Sequence, residues 1–237
     1  MFSILCQDSV SWLKKIPDGS VKNFVTGIPD MNELGDITLA QYLEFFKEVA
    51  GLIFRKLNPN GYCIFIQTDR KFKPKPHSDE KGCYIDKSYL LTDVAVHSGA
   101  KLLWHKIVCL RDVGKKDLYR PTYSHYLCYT YKGTPGVAFE DVLPVGHKLY
   151  DNATPDVVAE SAVEFVKQQM NSRRGRALRS ADDSEIDRSP DVVDPFVGQG
   201  TIGIKTVAHG LSFLGIDIDR NQCEIARKLL GSVRSGK

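Results

Sequence analysis

Apolar positions along this chain fall into short runs alternating with longer stripes. Residues 2–6 form a short apolar run that reads as a strand. Residues 8–15 then place Val10, Trp12, Leu13 and, just beyond, Ile16 at helical spacing before the turn Pro17-Asp18-Gly19-Ser20. A second strand is expected over 21–26. Residues 39–57 carry Leu39, Tyr42, Phe45, Phe46, Val49, Leu52, Ile53 and Leu57, a helical stripe that stops at Asn58-Pro59-Asn60-Gly61. Tyr62-Cys63-Ile64-Phe65-Ile66-Gln67 follows as a continuous apolar run, the pattern of a strand buried on both faces.

The polar, proline- and lysine-bearing stretch 70–83 reads as a surface loop. A helix is expected over 89–98, and strands over 101–110 and 125–131 joined by polar chain. Residues 156–170 carry a clear apolar stripe after the helix-start signal Thr154-Pro155-Asp156. Residues 171–190, rich in Ser, Arg and Asp, are expected to form a mobile insert. The chain then runs strand, glycine loop, helix, strand, acidic tip and helix through "DPFVGQGTIGIKTVAHG" and "DIDRNQCEIARKLL". The class implied is α/β with a mostly parallel sheet.

Composition narrows the picture only slightly. The 237 residues suffice for a single domain, expected here as 1–237, with 42% hydrophobic and 26% charged residues and no apolar run long enough to span a bilayer. The opening Met1-Phe2-Ser3-Ile4-Leu5-Cys6 has no basic leader and runs into Gln7-Asp8, so a strand is expected there and not a secretory signal. Six scattered cysteines without paired spacing point to free thiols in a reducing, intracellular compartment and to no zinc site. A net charge of +3 permits an anionic partner without demonstrating one.

Gly198-Gln199-Gly200-Thr201-Ile202-Gly203 matches a dinucleotide fingerprint formally, with Asp217 at the right distance beyond it. That fingerprint normally opens the first half of a two-part fold, yet here only one further strand and helix follow. The other strands must come from upstream, so the sheet is expected to be circularly permuted. Gly203 reads as an incidental helix residue.

The chain resembles the β-class amino-methyltransferases, the permuted S-adenosylmethionine-dependent enzymes that methylate exocyclic amines of adenine or cytosine. The resemblance rests on Gln7-Asp8, Thr26-Gly27-Ile28-Pro29-Asp30, Asp194-Pro195-Phe196-Val197-Gly198-Gln199-Gly200-Thr201 and Gly215-Ile216-Asp217, and it spans nearly the whole chain. It implies a Rossmann-like class I methyltransferase fold with a seven-stranded sheet, the catalytic loop in residues 1–150 and the cofactor loop in 151–237. It also implies S-adenosyl-L-methionine as cofactor, held by Asp8, Asp194, Pro195, Phe196, Gly198, Gly200, Thr201 and Asp217. In chemical terms Asp194 can face the ammonium, Asp217 the ribose hydroxyls and Asp8 the adenine amine. Each of these aspartates can equally be a helix cap or a surface carboxylate.

The family's catalytic tetrapeptide begins with a polar acceptor and ends with an aromatic that stacks on the extruded base. Here Gly27, Ile28, Pro29 and Asp30 occupy those places. Three readings stay open. Backbone carbonyls with Asp30, aided by Asn32 or Glu33, carry the chemistry; the protein is a silent subunit that binds cofactor, RNA or a partner protein; or the segment is only a proline turn. Arg120, Tyr123 and His125 are the candidate substrate contacts, the competing reading being an aromatic strand pair that fills the core. His125 lacks a companion at metal-ligand spacing, so no metal is expected. The basic stretches 70–75 and 173–179 suit a phosphate backbone or plain solvation. RNA is favoured over DNA because no separate recognition domain is visible, a protein partner or homodimer stays open, and no membrane association is expected.

Overall fold

The computed structural model describes residues 1–71, 84–136, 138–150, 153–177 and 189–234. The chain opens with β1 (Phe2–Cys6), α1 (Ser9–Lys15), β2 (Val21–Thr26), a 3-10 turn at Met31–Glu33, α2 (Leu39–Lys56) and β3 (Leu57–Gln67). β4 (Arg70–Lys71), β5 (Tyr84–Ile85), α3 (Lys87–His97), β6 (Lys101–Cys109), β7 (Tyr123–Thr130) and β8 (Val142–Leu143) follow. It closes with α4 (Asp156–Ala177), β9 (Val192–Asp194), α5 (Thr201–Ala208), β10 (Phe213–Asp217) and α6 (Arg220–Arg234).

The main sheet has the order β1-β10-β9-β2-β3-β7-β6-β8. Only β7 runs against its neighbours; the pairs β1/β10, β10/β9, β9/β2, β2/β3 and β6/β8 are parallel. Strands from the beginning and the end of the chain therefore lie side by side. The two-residue β8 adds an eighth strand to the seven expected.

Alternation along β3 shows how the core is divided. Tyr62, Ile64 and Ile66 join the cluster under α4, α5 and α6, whereas Cys63 and Phe65 join the one under α1, α2 and α3. Burial on both faces explains why this strand reads as an unbroken apolar run. The expected stop at Asn58-Pro59-Asn60-Gly61 is not a separate turn. β3 begins at Leu57, and the pairing with β2 jumps from Val21↔Leu57 to Asn23↔Tyr62, so these residues bulge out of the ladder.

Two further boundaries differ from expectation. The stretch taken as a loop from residue 70 begins as a strand, since Arg70–Lys71 pairs with Tyr84–Ile85; residues 72–83 lie outside the described chain. The expected insert from 171 is helical at its start, because α4 continues to Ala177. Asn171 and Ser172 are exposed, so this part of the helix needs no apolar stripe, and arginine is a good helix former. The rest of the insert, 178–188, lies outside the described residues. Among the described residues no helix is long and apolar enough to cross a membrane. Five of the six cysteines are described, and all five are free.

Candidate active site at the carboxyl edge of the sheet

Parallel strands that point the same way empty their loops onto one edge, and here that edge surrounds a cavity of about 1250 Å³. Asp8, Asp194 and Asp217 stand at the tips of β1, β9 and β10 and all line it. The register explains their proximity. Cys6 pairs with Asp217, the Gln7 N–H donates to the Asp217 carbonyl at 2.9 Å, and Gly215 pairs with Asp194.

Each aspartate has a definite local role. Asp8 caps α1, its Oδ1 accepting from the Ser11 N–H at 2.7 Å, and hydrogen bonding by the Ser11 side chain, with the backbone bonds adding to it, holds its pKa below the ordinary carboxylate value against the effect of burial. Asp217 accepts from the Gly198 N–H through Oδ2 and from the Asp219 N–H through Oδ1, both at 2.9 Å, which ties the glycine loop to the β10 tip. Asp194 is only 2% exposed, and its Oδ1 accepts from the Thr26 hydroxyl at 2.7 Å and the Phe196 N–H at 3.1 Å. Burial pushes its pKa up to about 7, with the nearby Asp217 charge adding to the rise.

The glycine loop divides by function. Gly198 has φ +51, and a Cβ there would run into the Tyr150 Oη, at the cavity wall. Gly200, expected among the cofactor contacts, does not line the cavity. A Cβ on it would meet Leu230 at 2.8 Å, so it lets α5 start tightly against α6. Pro195 is likewise buried away from the cavity, its carbonyl accepting from the Ser9 hydroxyl. Phe196, Gly198 and Thr201 do line it. Gly203 is more than incidental, because a Cβ there would meet Phe213 at 2.5 Å, so glycine sets the close packing of α5 on β10.

Gly27, Ile28, Pro29 and Asp30 follow β2 and line the same cavity. Asp30 is not a free carboxylate. Its Oδ1 accepts from the Met31 N–H at 2.8 Å and lies 3.2 Å from the Lys87 Nζ, while its Oδ2 lies 3.1 Å from Arg70. It also forms a capping box with Glu33, whose Oε2 accepts from the Asp30 N–H at 2.7 Å. Lys87 is 1% exposed; burial lowers its pKa and the Asp30 charge opposes that shift. Removing the charge at Asp30 should therefore cost stability. Asp30→Asn is expected to lower unfolding free energy by about 2 kcal/mol, less than for a fully buried pair because Asp30 is partly exposed. Thermal and denaturant unfolding would show it, and an unchanged midpoint would mean that Arg70 and Lys87 do not depend on this carboxylate.

Among the candidate substrate contacts, Arg120 lines the cavity and is exposed. Tyr123 and His125 do not line it. His125 is buried with Nε2 2.7 Å from the Asp69 Oδ2 and Nδ1 2.8 Å from the His105 Nε2, so both ring nitrogens are engaged inside the fold. His125 thus fits the strand-pair reading, whereas Tyr123, half-buried at the start of β7, belongs to neither core cluster. Companions for His125 do exist in three dimensions, since donor atoms of Asp69 and Asp86 come within 4.8 Å of it and of each other. Asp69 already accepts from the Lys87 N–H and the Tyr84 hydroxyl as well as His125, and these bonds outweigh its burial to keep its pKa low.

Several lining residues carried no signal in the sequence: Gln67, Lys87, Lys148, Tyr150 and Gln222. Thr154 and Pro155, which the sequence marks as a helix start, also line the cavity. Gln222, in the first turn of α6 beside the Asp217 tip, has a buried Oε1 with no hydrogen-bond partner among the described residues. An orphaned acceptor next to two strand-tip carboxylates and a glycine cradle suits a ligand rich in hydroxyl and amine donors.

No protein-family model matches the chain. In sequence it is 25% identical over 255 residues to the Type II methyltransferase M.HpaI of Haemophilus parainfluenzae, an alignment covering 98% of this chain and 75% of that protein. Among solved structures it is similar to TTHA0409 of Thermus thermophilus, provisionally a DNA modification methylase, in complex with S-adenosyl-L-methionine. There the TM-score is 0.69 at 17% identity, covering 100% of this chain and 96% of that one. The PvuII cytosine-N4-specific DNA methyltransferase superimposes with a TM-score of 0.62 at 13% identity, covering 100% and 93%. The chain thus shares the Rossmann-like fold of DNA methyltransferases and is related along almost its whole length to a type II methyltransferase.

Proposed function

We propose that the protein is an S-adenosyl-L-methionine-dependent methyltransferase of the permuted β-class, acting on an exocyclic amino group of a DNA base. The observation that carries this reading is the meeting of two distant segments on one cavity. Asp8, Asp194, Gly198 and Asp217 line one part of it and Gly27 to Asp30 another. The relatives favour DNA, where the sequence alone leaned towards RNA.

In this reading Asp194 faces the cofactor's ammonium, Asp217 accepts from the ribose hydroxyls, and Asp8 or the orphaned Gln222 Oε1 accepts from the adenine amine. The Gly198 backbone, free of a side chain, lets the amino acid end lie close. When bound, the cofactor supplies an electrophilic methyl group on a sulfonium. The transfer it would supply exchanges the sulfonium's S–C bond for an N–C bond and frees one proton of the amine, so the residues around the cavity would need only to hold the acceptor nitrogen in line.

The chain's task is positioning, since direct in-line transfer forms no covalent bond to the enzyme. No side chain at residue 27 can accept the amine's hydrogens, so the backbone carbonyls of Gly27 and Ile28 take that role. Asp30, bound by Arg70 and Lys87, sets a charged wall where the family has an aromatic. Phe45 and Tyr119 bring rings to the cavity and offer the stacking surface instead.

Titration calorimetry with S-adenosyl-L-methionine and with NAD, followed by incubation of labelled cofactor with unmethylated duplex DNA and with RNA, tests this. Binding of the sulfonium cofactor alone and label in DNA are expected. NAD binding without S-adenosyl-L-methionine binding would overturn the cofactor assignment. Cofactor binding without transfer to either polymer would favour a silent subunit, the reading that the altered tetrapeptide keeps in play.

A further inference from the structure

Replacing a proline by isoleucine in a tight loop adds one backbone N–H. Inside a protein that donor must find an acceptor, and leaving it unpaired costs about 1–3 kcal/mol. Ile28 is 3% exposed, so water does not serve it. Its N–H donates instead to the Gln67 Oε1 at 2.8 Å, and the Gln67 Nε2 donates back to the Ile28 carbonyl, also at 2.8 Å. One side-chain amide thus grips both polar groups of a single residue. The two bonds also fix which end of the amide is oxygen, since the reverse orientation would set donor against donor.

Gln67 is well placed to hold something still. It is the last residue of β3, 3% exposed, and is paired across the sheet with His125 on β7. It lines the cavity next to the loop it grips. The neighbouring Gly27 lies so near the β3 backbone that a Cβ there would stand 2.8 Å from the Ile66 carbonyl. The loop is therefore pressed against the end of β3 at residue 27 and clamped to it at residue 28.

We propose that Gln67 is the positioning residue of the methyl-acceptor loop, holding the Ile28 peptide as a proline ring would and aiming its carbonyl at the substrate's amino group. This deepens the methyltransferase reading and rests on it. A carbonyl oxygen has two lone pairs. Nε2 of Gln67 occupies one, and the other remains for a hydrogen of the acceptor amine. The grip acts through Ile28, so Gln67 itself touches neither the methyl group nor the reacting nitrogen.

Gln67→Met removes both bonds, while Gln67→Glu keeps an acceptor for the N–H and loses the donor to the carbonyl. In the full chain, with labelled S-adenosyl-L-methionine and duplex DNA, kcat is expected to fall about 30-fold or more in both variants, the scale of a displaced reacting group. The cofactor Kd by calorimetry should stay within about twofold of wild type, because Gln67 lies outside the glycine loop. Hydrogen exchange at the Ile28 amide should accelerate in Gln67→Met and stay close to wild type in Gln67→Glu. Adding Ile28→Pro to Gln67→Met should recover part of the lost kcat, since the ring removes the orphaned donor.

A kcat unchanged in both variants, or lost only in step with cofactor affinity, would overturn the proposal. A wild-type chain that transfers no methyl group to DNA defeats the functional reading instead. Exchange at Ile28 then decides the clamp separately: unchanged protection in Gln67→Met sinks it, and faster exchange upholds the grip alone.

Discussion

Cofactor binding should tighten about tenfold between pH 6 and pH 7.5, in step with the ionisation of one buried carboxyl group. Asp194 has its pKa pushed from the ordinary 3.8 up to about 7 by burial, so at pH 6 most molecules carry it protonated. A cation placed against it favours the carboxylate. Binding therefore expels a proton below pH 7 and is opposed by acid. Above pH 7 the group is already ionised and the dependence flattens. Calorimetry in two buffers of different ionisation enthalpy would count the released proton directly.

Asp194→Asn is the matching control. Both hydrogen bonds to Asp194, from Thr26 and Phe196, go to Oδ1, and an asparagine Oδ1 accepts them unchanged. The variant should bind more weakly at pH 7.5 and lose the pH dependence altogether. An affinity that is flat with pH in the wild type would mean that no cation of the ligand sits against Asp194. The same shift bears on the free protein. The folded pKa is raised, so the stabilisation is complete below about pH 4 and is lost as pH rises through 7, by on the order of 4 kcal/mol at most. Bound cofactor should remove that loss.

Gly27→Asp, which places a carboxylate at the first position of the loop after β2, should not raise activity; it should destroy it. A side chain at this position begins with a Cβ 2.8 Å from the Ile66 carbonyl oxygen, closer than real Cβ atoms come. The obstacle is backbone of a central strand, so the loop must move instead, taking Ile28 away from Gln67. Displacement on the order of 1 Å at a transfer site costs about 100-fold in rate. Strain and the broken clamp together should lower stability by about 2–4 kcal/mol, read as a fall of roughly 4–16 °C in Tm. If Gly27→Asp transferred methyl groups faster than the wild type, the loop would have to be far more compliant than its packing indicates. Gly27→Ala separates the causes, since it carries the clash without the charge.

The parts of the site that were readable from the sequence are those whose residues lie next to one another in it. The block from Asp194 to Thr201 and the acidic tip at Asp217 are local features of strand ends and tight turns, and local spacing conveys them. Asp8 was readable only because a resemblance joined it to the late block. Gln67 closes a run that looks wholly apolar, and its partner lies in another strand-end loop. Lys87 opens α3 and meets Asp30 only through tertiary folding. Neither pairing leaves a periodic trace. For His125 the sequence leaves two surroundings open for a related reason. β7 is buried along Ser124 to Thr130 on both faces, so alternation does not tell which residues look towards the cavity. Gly200 and Gly203 illustrate the converse, a motif whose glycines serve helix packing as much as ligand approach.

The pairing of β1 with β10 also governs when this molecule becomes competent. During synthesis the first strand emerges long before the one it leans on, and until Phe213–Asp217 is made it has an open flank. The carboxylate at the β1 tip has no neighbour to share a ligand with during that interval. A nascent chain should thus be blind to its cofactor until Asp217 has been made, and retention of ribosome-stalled chains on a cofactor resin would report the length at which the edge closes.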